Sequence, residues 1–258
     1  MNHIAVFHGA EHKVGCTMLA QSVAELIAKA NKEIDVLFTA LNGRKSAEYV
    51  CEDTETIDRY KPRLHSRIGI EKSLLKPYKK SENLYIIAGV EKEEEARHYY
   101  PEDGQALLES LIGSFDLVVV DSGSELDNGL ALSALKKEGI CTLVFGQSES
   151  SLARYERMRG VYERAEIHFD RYLINQFIDT DPYTLPYISS RLGLDKEQLA
   201  KVAFCQAARQ AEMEHKTLLD FKEEKYRKDI AKVASAVMAA LNISETTQRR
   251  KRGWKSFI

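Results

Sequence analysis

Short apolar runs rich in β-branched residues recur along this chain, and each is separated from the next by a longer stretch with helical spacing. No other feature constrains the fold so tightly. The runs occupy residues 4–7, 34–38, 84–88, 117–120, 140–145, 172–177 and 202–204. Between the first two, residues 15–31 place Leu19, Val23, Leu26 and Ile27 on one helical face. Helical material is also expected at 105–112, 128–137, 151–163 and about 222–241, with an acidic helix-prone segment starting at Glu91. The run at 117–120 is continuously apolar and ends at Asp121, as a strand covered on both faces must be. Strand, helix, strand, helix at this spacing predicts right-handed crossovers, hence a doubly wound, mostly parallel α/β sheet with helices on both faces. One domain is expected over residues 1–243, followed by a tail at 244–258. Residues 43–80 are rich in Lys, Arg, Tyr and Glu with weak periodicity, and are expected to form a surface excursion of loops and short helices.

With 258 residues, 44% of them hydrophobic, the chain has material for an ordinary globular core. Its formal net charge of −2 argues against coating nucleic acid through bulk charge. No apolar run approaches the roughly 20 residues that cross a bilayer, and the N-terminus lacks the basic-then-apolar pattern of a secretory signal. The four cysteines lie far apart without a CxxC, so reduced thiols and a cytoplasmic location are expected. His8 and His12 flank Glu11 with no third ligand of matching spacing, and no structural metal is expected.

In an α/β sheet the phosphate site lies where the first strand gives way to a helix through glycine-rich backbone. That place holds Gly9-Ala10-Glu11-His12-Lys13-Val14-Gly15-Cys16-Thr17-Met18. A strict P-loop has lysine before the Thr, and here it is Cys16. The frame is otherwise kept: a buried strand, Val-Gly-x-Thr opening a helix, then Leu-Ala and a helical face. Asp121 closes the 117–120 run, and Asn175 lies within the 172–177 run. A helix N-terminus favours thiolate, but no His or Asp partner for Cys16 is identifiable from spacing, so a redox or nucleophilic role is disfavoured.

These residues resemble the ParA/MinD superfamily of ATPases, whose deviant Walker A loop reads roughly Lys-Gly-Gly-Val-Gly-Lys-Thr-Thr. The other landmarks follow in order along nearly the whole chain. Residues 83–89 (Asn-Leu-Tyr-Ile-Ile-Ala-Gly) resemble the third-strand signature, and 115–123, with Leu126-Asp127 after them, resemble the Walker B strand. Ile174-Asn175-Gln176 resembles the strand whose Asn recognises adenine, and 202–212, including Phe204, the segment that closes the base pocket. The pattern Gly-Ala-x-x-x-Val-Gly-x-Thr without the lysine is most similar to the TadZ/CpaE branch, which helps to place pilus-secretion machinery.

The resemblance implies a P-loop NTPase fold that binds ATP or ADP with Mg²⁺ through residues 10–18, Asn175 and Phe204. Thr17 supplies the hydroxyl and Asp121 the carboxylate that would hold the metal. It also exposes the departures. Glu11 stands at the signature lysine, His12 and Lys13 at the two glycines, and Cys16 at the Walker lysine. Thr39-Ala40-Leu41-Asn42 occupies the stretch where Asp-x-Asp-Pro is usual, and no acid lies between Asp35 and Glu48. Glu11 adds repulsion near any phosphate. Losing one charge-assisted hydrogen bond costs roughly 1.5–3 kcal/mol, so binding is expected to survive weakened. Hydrolysis depends on positive charge and an oriented water, and is expected to be very slow or absent. No catalytic residue is assigned.

The expected role is a localisation or assembly factor acting through protein partners, in the manner of TadZ/CpaE proteins, with a homodimer as the family's usual assembly. The alternative is a working ATPase in DNA partitioning or membrane-cycled positioning. The tail gathers Arg249, Arg250, Lys251, Arg252 and Lys255 around Trp254, Phe257 and Ile258. That composition suits a peripheral anchor on an anionic membrane surface, as in the terminal helix of MinD-like proteins. A solubilising tail is the competing reading, and nonspecific DNA binding is disfavoured.

Overall fold

The computed structural model describes residues 3–46 and 54–244. The tail residues 249–258 therefore lie outside the described residues, as does Cys51.

Eight strands form one sheet in the order β3-β4-β2-β5-β1-β6-β7-β8. They are β1 (His3–Gly9), β2 (Val36–Ala40), β3 (Tyr78–Lys79), β4 (Leu84–Ile87), β5 (Leu117–Asp121), β6 (Ile140–Gly146), β7 (Arg171–Phe177) and β8 (Leu199–Ala203). Every pairing is parallel except β3 on β4, where Tyr78 faces Ile86 and Lys79 faces Tyr85. The expected doubly wound sheet is present. All five residues of β5 are buried, because β2 and β1 flank it and helices cover both faces.

Each face of the sheet has its own core. On one side lie α1 (Cys16–Ala30) and α8 (Glu224–Ala240), with the short α7 (Ala208–Met213). Leu19, Val23 and Ile27 of α1, four residues apart, are fully buried there, each stabilising by roughly 1.5–3 kcal/mol. The other side carries α3 (Pro101–Ile112), α4 (Gly129–Leu135), α5 (Glu149–Arg164) and α6 (Leu185–Leu192). Their starts follow local chemistry: the Asn128 side chain accepts from the Ala131 amide at 2.9 Å, and Asp103 accepts from the Tyr100 amide at 2.8 Å in a capping box.

Three differences from the sequence reading have physical causes. The second strand starts at Val36 instead of residue 34, because Ile34 gives its carbonyl to Asn83. The excursion after residue 43 does contain short helices, including α2 (Lys61–His65), but it is more than surface. Ile57, Tyr60, Leu64, Ile70 and Leu75 are buried against the sheet, which the irregular spacing of these side chains conceals. The helices α6 and α7, of eight and six residues, are too short for periodicity to reveal.

Asn83 ties the end of the sheet opposite the first-strand loop. Its side-chain amide donates to the carbonyls of Ala28, Asn31 and Ile34 at 3.0, 2.8 and 2.8 Å. Asn31 in turn donates to the carbonyl of Ser244 at 2.8 Å, tying the segment after α8 to the same corner.

Candidate functional site

β1 runs between β5 and β6, and its carboxyl end opens into the loop 10–15. The loop is pinned at its root: the Gly9 amide donates to the Gly123 carbonyl at 2.6 Å and the Ala10 amide to Val144 at 2.7 Å. β7 holds the far side, where Asn175 Nδ2 donates to the Val14 carbonyl at 2.8 Å and Gln176 Nε2 to Lys13 at 3.3 Å. Gly15 has φ 76°, and a Cβ there would stand 2.6 Å from Asn175 Nδ2, so both backbone and space demand glycine.

Lys13 adopts the left-handed conformation, φ 62°, without being glycine. Such a residue is strained by about 1 kcal/mol. Glycine relieves that strain but loses about 0.5 kcal/mol more backbone entropy on folding, so Lys13→Gly is expected to raise stability by about 0.5 kcal/mol, read as a melting midpoint about 1–2 °C higher. A lower midpoint would mean that the lysine side chain itself holds the loop.

The first turn of α1 has no side-chain cap, which leaves its amides facing the cleft as an anion cradle. Directly below lies Asp121, fully buried. Its Oδ2 accepts from the Thr17 hydroxyl and, at 3.1 Å, from Asn42 Nδ2; its Oδ1 accepts from the Gly123 amide at 3.0 Å. The Cys16 thiol is a further donor to it. Burial raises the Asp121 carboxyl above its ordinary value, against those four hydrogen bonds, which lower it. No ammonium or guanidinium pairs with it among the described residues.

Cys16 is 8% exposed and packs with Phe7, Val14 and Leu19 in one of the two cores. Its place at a helix N-terminus does not make it a thiolate. Burial, and then the neighbouring Asp121 charge, push the thiol well above its ordinary value, so it is a neutral donor. Glu11 turns toward α5, where its Oε1 accepts from Ser148 and Ser150, each at 3.1 Å. The charge thus meets a helix N-terminus and two hydroxyls, which offsets the repulsion expected of it. His12 reaches the other wall: Nε2 lies 2.8 Å from Glu125 and Nδ1 3.1 Å from Ser124 Oγ. Arg154 braces that wall by donating to the Ser124 carbonyl and to Glu125, both at 3.0 Å. His8 sits apart in the core, fully buried on Ser122 Oγ at 3.0 Å.

The loop floors an open cleft of about 1830 Å³, large beside ordinary small-molecule pockets. Residues 42–46, 91–97, 121–128 and 203–212 contribute to its walls. Met18 lines it near Thr17, and Phe204, 48% exposed, lies on it past the end of β8. Of the residues singled out from sequence, 11–18, Asp121, Asn175 and Phe204 line this one cleft, whereas Ala10 is buried beneath it. Asn42, Gln176, Ser148 and Arg154 were not singled out. Asn42 lies in a stretch marked in sequence only by its lack of acids, and Arg154 sits on a helix with no motif around it.

No family model matches this sequence, and no curated protein is similar to it. Solved structures are similar over nearly the whole chain. A ParA family ATPase from Chlorobium tepidum TLS has a TM-score of 0.78 at 18% identity, covering 91% of this chain and 99% of its own. This is the fold of the ParA and MinD ATPases. The septum site-determining protein MinD of Pyrococcus horikoshii OT3, complexed with Mg-ADP, has a TM-score of 0.72 at 17% identity, over 93% of this chain and 98% of that one. A variant of Cyanothece McdA in complex with ATP has a TM-score of 0.75 at 13% identity, over 95% and 98%. Within the ParA/MinD fold, the residues of the present chain fit a magnesium nucleotide in part. The uncapped α1 N-terminus, the Thr17 hydroxyl and the cation-free carboxylate of Asp121 suit phosphate and metal. The two lysine positions do not, since Cys16 faces the core and Glu11 faces α5.

Proposed function

We propose that the cleft binds a magnesium nucleotide weakly, turns it over very slowly or not at all, and that the chain works as a localisation or assembly factor. One observation carries the reading: Thr17 hydrogen-bonded to buried Asp121 beside an uncapped helix N-terminus that has Cys16 in its first turn. The amides of the loop and of the first turn of α1 receive the phosphates, and Thr17 and Asp121 hold the magnesium. When bound, the metal supplies positive charge at the phosphate oxygens. Phe204 offers an exposed ring face for a base, and Asn175, which spends one Nδ2–H on the Val14 carbonyl, retains its other N–H and its carbonyl oxygen for recognition. Asn42, an amide beside Asp121, takes the place where an acid would orient the attacking water.

A partner-binding role is supported by this mismatch between a kept scaffold and altered loop chemistry, and by the loop's resemblance to the TadZ/CpaE pattern. The same fold occurs in a MinC:MinD cell division complex from Aquifex aeolicus, in which the MinD chain has a partner. Pairing of two copies across the cleft is part of the proposal.

Calorimetric titration of the full chain with Mg·ATP tests the reading. Binding in the range of tens to hundreds of micromolar is expected, with Thr17→Ala weakening it about tenfold. Steady-state phosphate release should stay near background. Rapid release abolished by Thr17→Ala would replace the proposal with a working partitioning or positioning ATPase. No heat at millimolar nucleotide would remove the nucleotide site altogether.

A further inference from the structure

The segment that leads into and forms the edge strand β3 is locally basic. Between positions 59 and 80 the sequence holds eight Lys or Arg and one acid, Glu71, in a chain whose net charge is −2. Two of these cations are spoken for, Arg59 by Glu55 at 2.6 Å and Lys61 by Glu95 at 2.7 Å. Arg67, Lys72, Lys76 and Lys79 are exposed, and no ion pair engages them among the described residues. Apolar side chains stand among them: Ile68 is 50% exposed, Leu74 40% and Tyr78 40%. Lys72 and Lys79 lay their stems on aromatic faces, with Nζ 5.8 Å from the Phe115 ring and 5.6 Å from Tyr85.

The face is unsuited to two kinds of occupant. β3 is two residues long and follows Pro77, which lacks an N–H, so the sheet edge is poor at accepting an added strand. The exposed apolar residues Ile68, Leu74 and Tyr78 are separated in sequence by Lys72 and Lys76, whereas a tight protein interface needs grouped anchors in a pocket. Cations interleaved with single apolar tips are what the boundary of a lipid bilayer selects. The fold adds a second argument. Lys80 pairs its backbone with Leu84, beside Asn83, and Asn83 and Asn31 lead directly to Ser244. Ser244 thus lies at the corner of the molecule where Lys79 and Lys80 lie, and the sequence after it holds five basic residues with Trp254, Phe257 and Ile258.

We infer that this edge, built on Arg67, Lys72, Leu74, Lys76, Tyr78 and Lys79, docks on an anionic lipid bilayer, and that the body of the protein attaches by it independently of any attachment through the tail. The inference stands apart from the nucleotide reading, since none of these side chains lines the cleft.

Vesicle flotation of the full, nucleotide-free chain tests it, using phosphatidylcholine alone and phosphatidylcholine with about a third phosphatidylserine. Binding is expected only to the anionic vesicles and to fall with salt. Each basic residue near such a surface is worth about fivefold in affinity, so Lys72→Gln/Lys76→Gln/Lys79→Gln should weaken binding about 100-fold. Ile68→Ser/Leu74→Ser should weaken it about tenfold. A full chain with Arg249, Arg250, Lys251, Arg252 and Lys255 changed to Ser should still bind, and adding the triple Gln change should abolish its flotation. These positions are exposed, so unfolding midpoints should match the parent and exclude misfolding. Equal flotation by the triple variant and its parent, equal binding to neutral vesicles, or no flotation of the parent on anionic ones would each overturn the inference. So would polyglutamate that displaces the protein from vesicles at stoichiometric concentration, which would assign the face to an acidic protein.

Discussion

Replacing Cys16 with lysine is expected to tighten Mg·ATP binding by about 10- to 100-fold, the worth of one charge-assisted hydrogen bond to phosphate. The structure gives that lysine a prepared place. Its neighbour Asp121 is a buried carboxylate held by Thr17, Gly123, Asn42 and the Cys16 thiol, without a cation among the described residues. An ammonium at position 16 would be stabilised by Asp121 and would lie at the first turn of α1, where the phosphates are proposed to bind. Asn42→Asp alone should do the opposite: it sets a second carboxylate where the amide nitrogen now lies 3.1 Å from Asp121, and like charges at that range are costly when buried. With lysine present the acid becomes tolerable, so the two changes should couple strongly in a double-mutant cycle. The double variant should release phosphate at least about 100-fold faster than the parent, because it regains both a cation and a group to orient water. Titration calorimetry and a phosphate-release assay on the four proteins measure this. Unchanged affinity in Cys16→Lys would show that the loop does not hold phosphate in the manner proposed.

Stability should depend on pH through two buried groups of opposite sign. Burial pushes the Glu25 carboxyl up to about 7, against the hydrogen bond from Thr217 and the attraction of Lys80, with Asp220 adding to the rise. A carboxyl raised on folding stabilises fully below its unfolded value near 4.5, and that stability is lost as pH rises through about 7. The loss is about 3 kcal/mol. His8 behaves in reverse: burial, and then Arg154, lower it to about 3 from 6.5. Its contribution is present above pH 6.5 and lost as pH falls toward 3. The two slopes oppose each other between pH 4.5 and 6.5, and above pH 6.5 the Glu25 decline continues to about pH 7 unopposed by His8. Glu25→Gln removes only the falling slope. Relative to the parent it should gain about 3 kcal/mol between about pH 4.5 and 8, seen as diverging urea midpoints. Parallel profiles for the two proteins would show that Glu25 ionises in the folded state as it does in the unfolded one.

The architecture was readable because its signal is local. A run such as 117–120 is apolar throughout only if both faces are covered, and Leu19, Val23 and Ile27 repeat at helical spacing because they share one buried stripe. The loop's position was readable for the same reason, since Val14-Gly15 before Thr17 marks a strand passing into a helix through a left-handed residue. Departures from the usual loop chemistry were also plain in the letters: Cys16, Glu11, and no acid between Asp35 and Glu48.

What those letters do was decided by contacts between residues far apart in the chain. The helix N-terminus alone would favour a Cys16 thiolate; burial, and then the distant Asp121, make it a neutral donor. Glu11 looked like a charge aimed at phosphate, and Ser148 and Ser150 draw it to another helix. Asn175 looked wholly free to read a base, and the Val14 carbonyl takes one of its two amide hydrogens. The basic run at 59–80 became a face only when its apolar members Tyr60, Leu64, Ile70 and Leu75 sank into the core and left the cations outside. Periodicity records which side of an element is buried, so the sheet, its helices and the place of the loop follow from the order of residues alone. The charge state and direction of a side chain depend on what folding brings against it, and those emerged only once the chain was packed.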